Sequence, residues 1–247
     1  MRNKILDLGY SPLEVDELIK NSINLDEDYN KLKNDYPIQY LIGYVDFYGY
    51  RIDVNENVLI PRYETEFLVE KTIKYVKKIF GDKRIDACDL ATGSGAIAVA
   101  LTKNINCNMT AIDISKKALE VAYKNFKYHN LDINILENNM LNSIEEKYDL
   151  IISNPPYISR KEKIMKMVSL YEPSIALYAD NDGLYYYEEI LKDIKKNLNK
   201  KFIIAFEIGC RQGEKIKNII YKYLENINVY IEKDLSQRDR YIFIFSE

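Results

Sequence analysis

Four consecutive residues, Asn154-Pro155-Pro156-Tyr157, place an amide, two prolines and a phenol directly after an apolar run, Tyr148–Ser153, that reads as a buried strand. Proline lacks an N–H and fixes φ, so the strand cannot continue through this sequence. The chain must therefore stop at the strand's carboxyl end, where open α/β sheets place their ligands. What results is a rigid bracket made of the Asn154 side chain, the Pro155 carbonyl and the Tyr157 ring. Such a bracket suits a planar group bearing an NH2.

A second constellation lies upstream. Asp89-Leu90-Ala91-Thr92-Gly93-Ser94-Gly95-Ala96 sits between an apolar run at Ile85–Leu90 and a helical pattern. Gly93 and Gly95 permit positive φ and a close backbone approach to a ligand. Asp113 ends the next apolar run, where a carboxylate can accept from both hydroxyls of a ribose. Gly93-x-Gly95-x-x-Ala98 also fits the dinucleotide fingerprint, so this loop alone leaves NAD and S-adenosylmethionine both open.

The elements that must position these residues follow from periodicity. Strands are read at 85–90, 109–114, 133–136, 148–153, 202–208, 229–231 and 241–245, and helices at 64–80, from 96 to 101, from Ser115 onward, at 183–198 and at 211–224. Alternating apolar strands and helices mean a parallel sheet covered on both faces. The link 232–240 is too short for a helical crossover, so the last two strands are expected to pair antiparallel, as a hairpin or with another strand between them. Upstream, Ser11-Pro12 starts a helix with Leu13, Leu18 and Ile19 on its apolar side, and 44–60 alternates as a hairpin. The segment 158–181 is long and polar, and reads equally as a lid or as a plain crossover.

Composition bounds the function. The 247 residues are 47% hydrophobic and 30% charged, with net charge −3, which argues against a broad phosphate-binding surface. The three cysteines are scattered and show no metal spacing, pointing to a reducing compartment. His129 is the single histidine, which leaves no His-based metal cluster and argues against a Ser-His-Asp triad; it reads as a polar residue ending a helix. Asp7, Glu14 and Asp16 do not suit a transit peptide, and no run is long enough to span a membrane. A cytoplasmic protein without membrane contact is expected.

The glycine loop, Asp113 and the bracket together resemble class I S-adenosylmethionine-dependent methyltransferases acting on planar nitrogen. The flanks narrow this further. Pro37-Ile38-Gln39-Tyr40-Leu41-Ile42-Gly43 with Phe47-Tyr48-Gly49 forms one block, and Val58-Leu59-Ile60-Pro61-Arg62-Tyr63-Glu64-Thr65-Glu66 another. Glu172-Pro173, Ala176-Leu177, Asp182-Gly183-Leu184, Phe206-Glu207-Ile208-Gly209, Asp234-Leu235 and Asp239-Arg240 follow in order. From about residue 37 onward this series resembles the release factor glutamine methyltransferase family.

The resemblance implies a Rossmann-like, seven-stranded, mostly parallel sheet with an antiparallel C-terminal hairpin. It implies a short helical segment at 1–43 for substrate recognition, a β-hairpin linker at 44–61 and a methyltransferase domain at 62–247. The implied substrate is the glutamine of the Gly-Gly-Gln loop of peptide chain release factors; no direct nucleic-acid binding is expected. The cofactor would be S-adenosylmethionine, leaving as S-adenosylhomocysteine, held by Ala91, Thr92, Gly93, Ser94, Gly95, Asp113, Asn139, Met140 and Asn154. Asn154, Pro155, Pro156 and Tyr157 would bind the substrate, with Asn154, Pro155 and Tyr157 carrying catalysis and no metal taking part.

Three residues depart from the family pattern. Ala91 stands for a glycine, so its backbone is expected in a region open to L-residues. Tyr63 stands for a proline and Asn139 for an aspartate. Arg62, Glu64 and Glu66 read as closing over the cofactor, as bracing the hairpin, or as an acid-rich helix start that suits the dipole. An N6-adenine methyltransferase acting on DNA or RNA shares the bracket and is the alternative; an NAD-dependent oxidoreductase or a non-enzymatic binding module share only the loop.

Overall fold

Residues 2–42 form four short helices in the computed structural model, which describes all 247 residues: α1 (Arg2–Leu6), α2 (Pro12–Asn21), α3 (Leu25–Leu32) and α4 (Ile38–Ile42). Ser11 and Glu14 close a capping box at the start of α2, with Pro12 at the first helical position. The buried side of α2 keeps the expected Leu18 and otherwise differs from the reading. Val15 and Leu18, three apart, turn inward with Ile5, Leu32 and Ile38 to make a small separate core. Leu13 (74% exposed) and Ile19 lie outside it. Helix α1, which carries no side-chain cap, is not anticipated by the sequence reading; Ile5 anchors it.

Strands β1 (Tyr44–Phe47) and β2 (Tyr50–Asp53) make the expected hairpin, but its ladder stops at Asp53. Tyr48 and Gly49 both have positive φ, as a two-residue hairpin turn requires. Beyond Asp53 the chain is irregular to Arg62, yet Val54, Val58 and Ile60 stay buried in the main core.

The sheet is built from β3 (Ile85–Leu90), β4 (Cys107–Asp113), β5 (Asn134–Glu137), β6 (Tyr148–Ser153), then, after a two-stranded excursion, β9 (Leu198–Glu207), β10 (Ile227–Lys233) and β11 (Asp239–Ser246). Its order is β10-β11-β9-β6-β3-β4-β5, with β11 antiparallel to both neighbours and every other pair parallel. The last two strands pair directly, with no strand between them. Helices α5 (Tyr63–Phe80), α6 (Ala96–Asn104) and α7 (Lys116–Tyr128) cover one face with the hairpin, burying Leu150, Ile152, Ile203 and Ala205. After the excursion, α11 (Tyr185–Asp193) and α12 (Gly213–Tyr223) cover the other over Ile151, Ile204 and Phe206.

Strands β3, β4 and β5 follow one another outward, whereas β6 returns to the opposite side of β3. The order therefore reverses between β3 and β6, and the crevice at their carboxyl ends is where such sheets bind ligands. Both chemistry-bearing loops leave from these two strand ends. The Ser153 hydroxyl donates to the Leu90 carbonyl at 2.7 Å and pins the ends together.

The excursion holds β7 (Ile158–Ser159), α8 (Lys166–Tyr171), α9 (Ser174–Leu177), β8 (Tyr178–Ala179) and a single irregular turn, α10 (Asp180–Gly183); β7 and β8 pair parallel at its base. The expected 183–198 helix is shorter, running from Tyr185 to Asp193 with a 3-10 turn to Asn197. Buried Asn197 donates to the Ile144 and Glu146 carbonyls, which draws the chain out of the helix and starts β9 four residues early.

Candidate active site: two clefts that share one asparagine

The loop after β3 turns back under its own hydrogen bonds. Asp89 is fully buried; its Oδ2 accepts from the Thr92 hydroxyl at 2.6 Å and from the Ala98 amide at 3.2 Å, leaving Oδ1 without a partner. Burial, against these two donors, pushes its carboxyl up to about 7. Gly95 caps α6 with φ 80, and a side chain there would meet the Phe126 ring at 2.5 Å. Ala91 occupies the left-handed pocket at φ 56, the one positive-φ region open to an L-residue and a costly one.

At the end of β4, Asp113 accepts from the Gly93 amide and from the Ser115 amide, both at 2.9 Å. Burial raises its carboxyl, and the Ser115, Gly93 and Ile114 amides pull it back. After β5, Asn138 fixes the next loop by donating to the Met140 and Asn142 carbonyls, and Met140 also takes positive φ.

These three strand ends wall a cleft of about 710 Å³, open mouth included. Of the residues proposed from sequence for the cofactor, Ala91, Gly93, Asp113, Asn139, Met140 and Asn154 line it. Thr92, Ser94 and Gly95 stand behind its wall: Thr92 turns to Asp89, and the Ser94 carbonyl accepts from buried Asn125 at 2.8 Å. The same Asn125 pairs through both ends of its amide with the Asp53 backbone, so one side chain spans the hairpin and the glycine loop. His129, at the end of α7, ties that helix to the hairpin as well, with Nε2 2.7 Å from the Arg51 carbonyl. The residues present fit S-adenosylmethionine: an anionic group with spare lone pairs at a strand end, exposed backbone beside it, and apolar Ile114, Ala118 and Met140 for a flat ring.

A second cleft, about 620 Å³ with its mouth, lies on the other side of the bracket. Pro155 and Tyr157 line it, with Arg62, Glu207 and apolar residues of the excursion; Pro156 instead faces the first cleft. Asn154, Leu59 and Ala176 line both. The excursion thus walls both clefts. It is held by Glu172, whose buried carboxylate accepts from Arg62 at 2.5 Å and from the Ile60 amide at 3.2 Å. Tyr63, at the first helical position of α5, packs edge-on against Phe67 in the next turn.

The Asn154 Nδ2 donates to the Thr65 hydroxyl at 3.2 Å, and its Oδ1 accepts nothing. No backbone amide donates to the Pro155 carbonyl. The Tyr157 hydroxyl donates to the Glu207 carboxylate at 3.2 Å, and its backbone carbonyl accepts from Gln212 at 2.9 Å. Gly183, at φ 85, lies against that carbonyl with no room for a Cβ. Burial raises the Glu207 carboxyl, opposed by the Thr65 hydrogen bond, Arg240 and Tyr157; burial and the Glu207 charge raise the Tyr157 phenol. Thr65 and Glu207 stand within blocks visible in the sequence, but nothing there signals that they touch.

Residues 65–171 match the methyltransferase small domain family. The chain is 37% identical over 213 residues to the release factor glutamine methyltransferase of Bacillus cereus, covering 84% of this chain and 75% of that protein. It is 36% identical over 248 residues to the Bacillus subtilis protein of the same name, covering 98% and 85%. Among solved structures, a methyltransferase from Pyrococcus furiosus shares the fold with a TM-score of 0.60, at 19% identity over 89% of this chain and 94% of that one.

Proposed function

The chain belongs to the release factor glutamine methyltransferase family, and from that premise we propose that it methylates the side-chain amide nitrogen of the Gly-Gly-Gln glutamine in a peptide chain release factor. It is an S-adenosylmethionine-dependent methyltransferase. The observation that carries the reading is Asn154, which lines both clefts with its oxygen free.

Bound S-adenosylmethionine supplies the electrophilic methyl group. The protein's task is to make a poor nucleophile react, because an amide lone pair is delocalised into its carbonyl. Asn154 Oδ1 and the Pro155 carbonyl accept the two N–H bonds of the substrate amide. Two acceptors favour positive charge growing on that nitrogen and aim it across the wall between the clefts. Tyr157 packs on the flat amide. No strong base is needed, since the methylated amide is very acidic and sheds its proton late, to the bracket or to water. Asp113 would take the ribose hydroxyls, and Asn139 and Met140 would flank the adenine. Residues 1–43, with their own small core, present the release factor to the second cleft.

The test offers labelled S-adenosylmethionine with four acceptors: a release factor, its Gln-to-Ala loop variant, DNA and RNA. Label enters the release factor alone. Label on either nucleic acid and not on the release factor refutes the reading.

A further inference from the structure

An asparagine amide has two ends of nearly equal shape and opposite polarity. The bracket works only if Oδ1, not Nδ2, faces the incoming NH2, and something must choose. The Thr65 hydroxyl lies 2.7 Å from Glu207 Oε2, which is 2% exposed. A carboxylate only accepts, so Thr65 must donate its single proton there. What Thr65 offers Asn154 is then a lone pair, which only an N–H can use; at 3.2 Å, Nδ2 meets it. The order of donation runs one way, from Asn154 through Thr65 to Glu207, and leaves Oδ1 as the outward end. The other oxygen of the same carboxylate receives the Tyr157 hydroxyl, so one buried charge holds both side chains of the bracket.

We propose that Thr65 and Glu207 are positioning residues that fix the polarity of the Asn154 amide for methyl transfer. This rests on the reading of Asn154 as the acceptor bracket. A protonated Glu207 donates to Thr65, which frees the Thr65 proton for Oδ1 and lets the amide turn around. The groups facing Glu207 are Thr65 and Glu64 on α5, Tyr157 after β6, Tyr187 on α11, and Arg240 and Tyr241 on β11. Burial raises the Glu207 carboxyl above its ordinary range, against the Thr65 hydrogen bond and Arg240. Loss of its charge on the acid side is then an acid limb in kcat.

The experiment compares wild type, Thr65→Val, Thr65→Ser, Glu207→Gln and Asn154→Ala, as full-length proteins with a release factor substrate. It reads kcat, KM, cofactor Kd by calorimetry and cooperative melting. Thr65→Val is isosteric and lacks the hydroxyl; its kcat is expected to fall by about tenfold or more, with cofactor Kd within about twofold. Thr65→Ser returns kcat to within about threefold of wild type, which a packing role for the methyl group would not allow. Glu207→Gln is slow and loses the acid limb. A Thr65→Val kcat within about twofold of wild type, or no rescue by serine, overturns the proposal. If Thr65→Val does not fold, an acid limb unchanged in Glu207→Gln overturns it instead. An active Asn154→Ala would sink the bracket reading itself; an inactive one beside an active Thr65→Val sinks only this inference.

Discussion

The loop after β3 and the loop after β6 leave neighbouring strands at the same edge of the sheet, yet they are made by opposite means. The first is backbone: Ala91, Gly93 and Gly95 at positive φ, with Asp113 receiving main-chain amides. The second is side chain: Asn154 and Tyr157 held through Thr65 and Glu207, which come from a helix start and a strand end 142 residues apart. A cradle of backbone holds a ligand that is always the same. A bracket of side chains sets the polarity that one reaction needs. The two regions should therefore fail separately when struck.

Asn154→Ala is the hardest blow to the second region: turnover is expected to fall by at least about a hundredfold, while calorimetry finds cofactor binding kept. Weakened cofactor binding in step with turnover would dissolve the distinction between the regions. Gly183→Ala strikes the same region from behind, since a Cβ there displaces the Tyr157 carbonyl and its Gln212 partner. It is expected to lower kcat by about tenfold with cofactor Kd little changed. Gly95→Ala reverses the pattern. The strained φ and the Phe126 ring push the glycine loop aside, so cofactor Kd rises by about tenfold.

A gentler probe of the first region is pH. The folded chain holds the Asp89 proton up to about 7, against an ordinary value near 3.8. Between those values the unfolded chain has already released it, so stability falls as pH rises through the window. Asp89→Asn cannot lose a proton, and the decline of its urea midpoint with pH should be shallower than wild type; an identical slope would assign the titration elsewhere. The smallest change is Ala91→Gly, which relieves the left-handed strain and should stabilise by about 1 kcal/mol, seen as a melting point a few degrees higher. A lower melting point would mean that the loop gains from alanine's stiffness more than it loses to strain.

The same division explains what the sequence made legible. The ends of β3 and β6 agree with the reading to the residue, because an apolar run that gives way to a glycine-bearing loop or to Asn-Pro-Pro is a local signal. The caps at Ser11 and Ser115 are local too. Thr65 and Glu207 were legible only as members of separate blocks, since a hydrogen bond across 142 residues depends on how α5 lies over β9. The inward turn of Val15, beside the expected Leu18, in place of Leu13 and Ile19 likewise depends on where Ile5 and Leu32 sit. Asn197 shortened a helix by finding carbonyls 51 and 53 residues earlier, which no propensity encodes.

Asn125 ties the Asp53 backbone and the Ser94 carbonyl with one amide. In terms of hydrogen exchange, the hairpin and the glycine loop then belong to one cooperative unit. Their amides are expected to open together, so a ligand that quiets the loop should protect β2 at a distance from its own pocket.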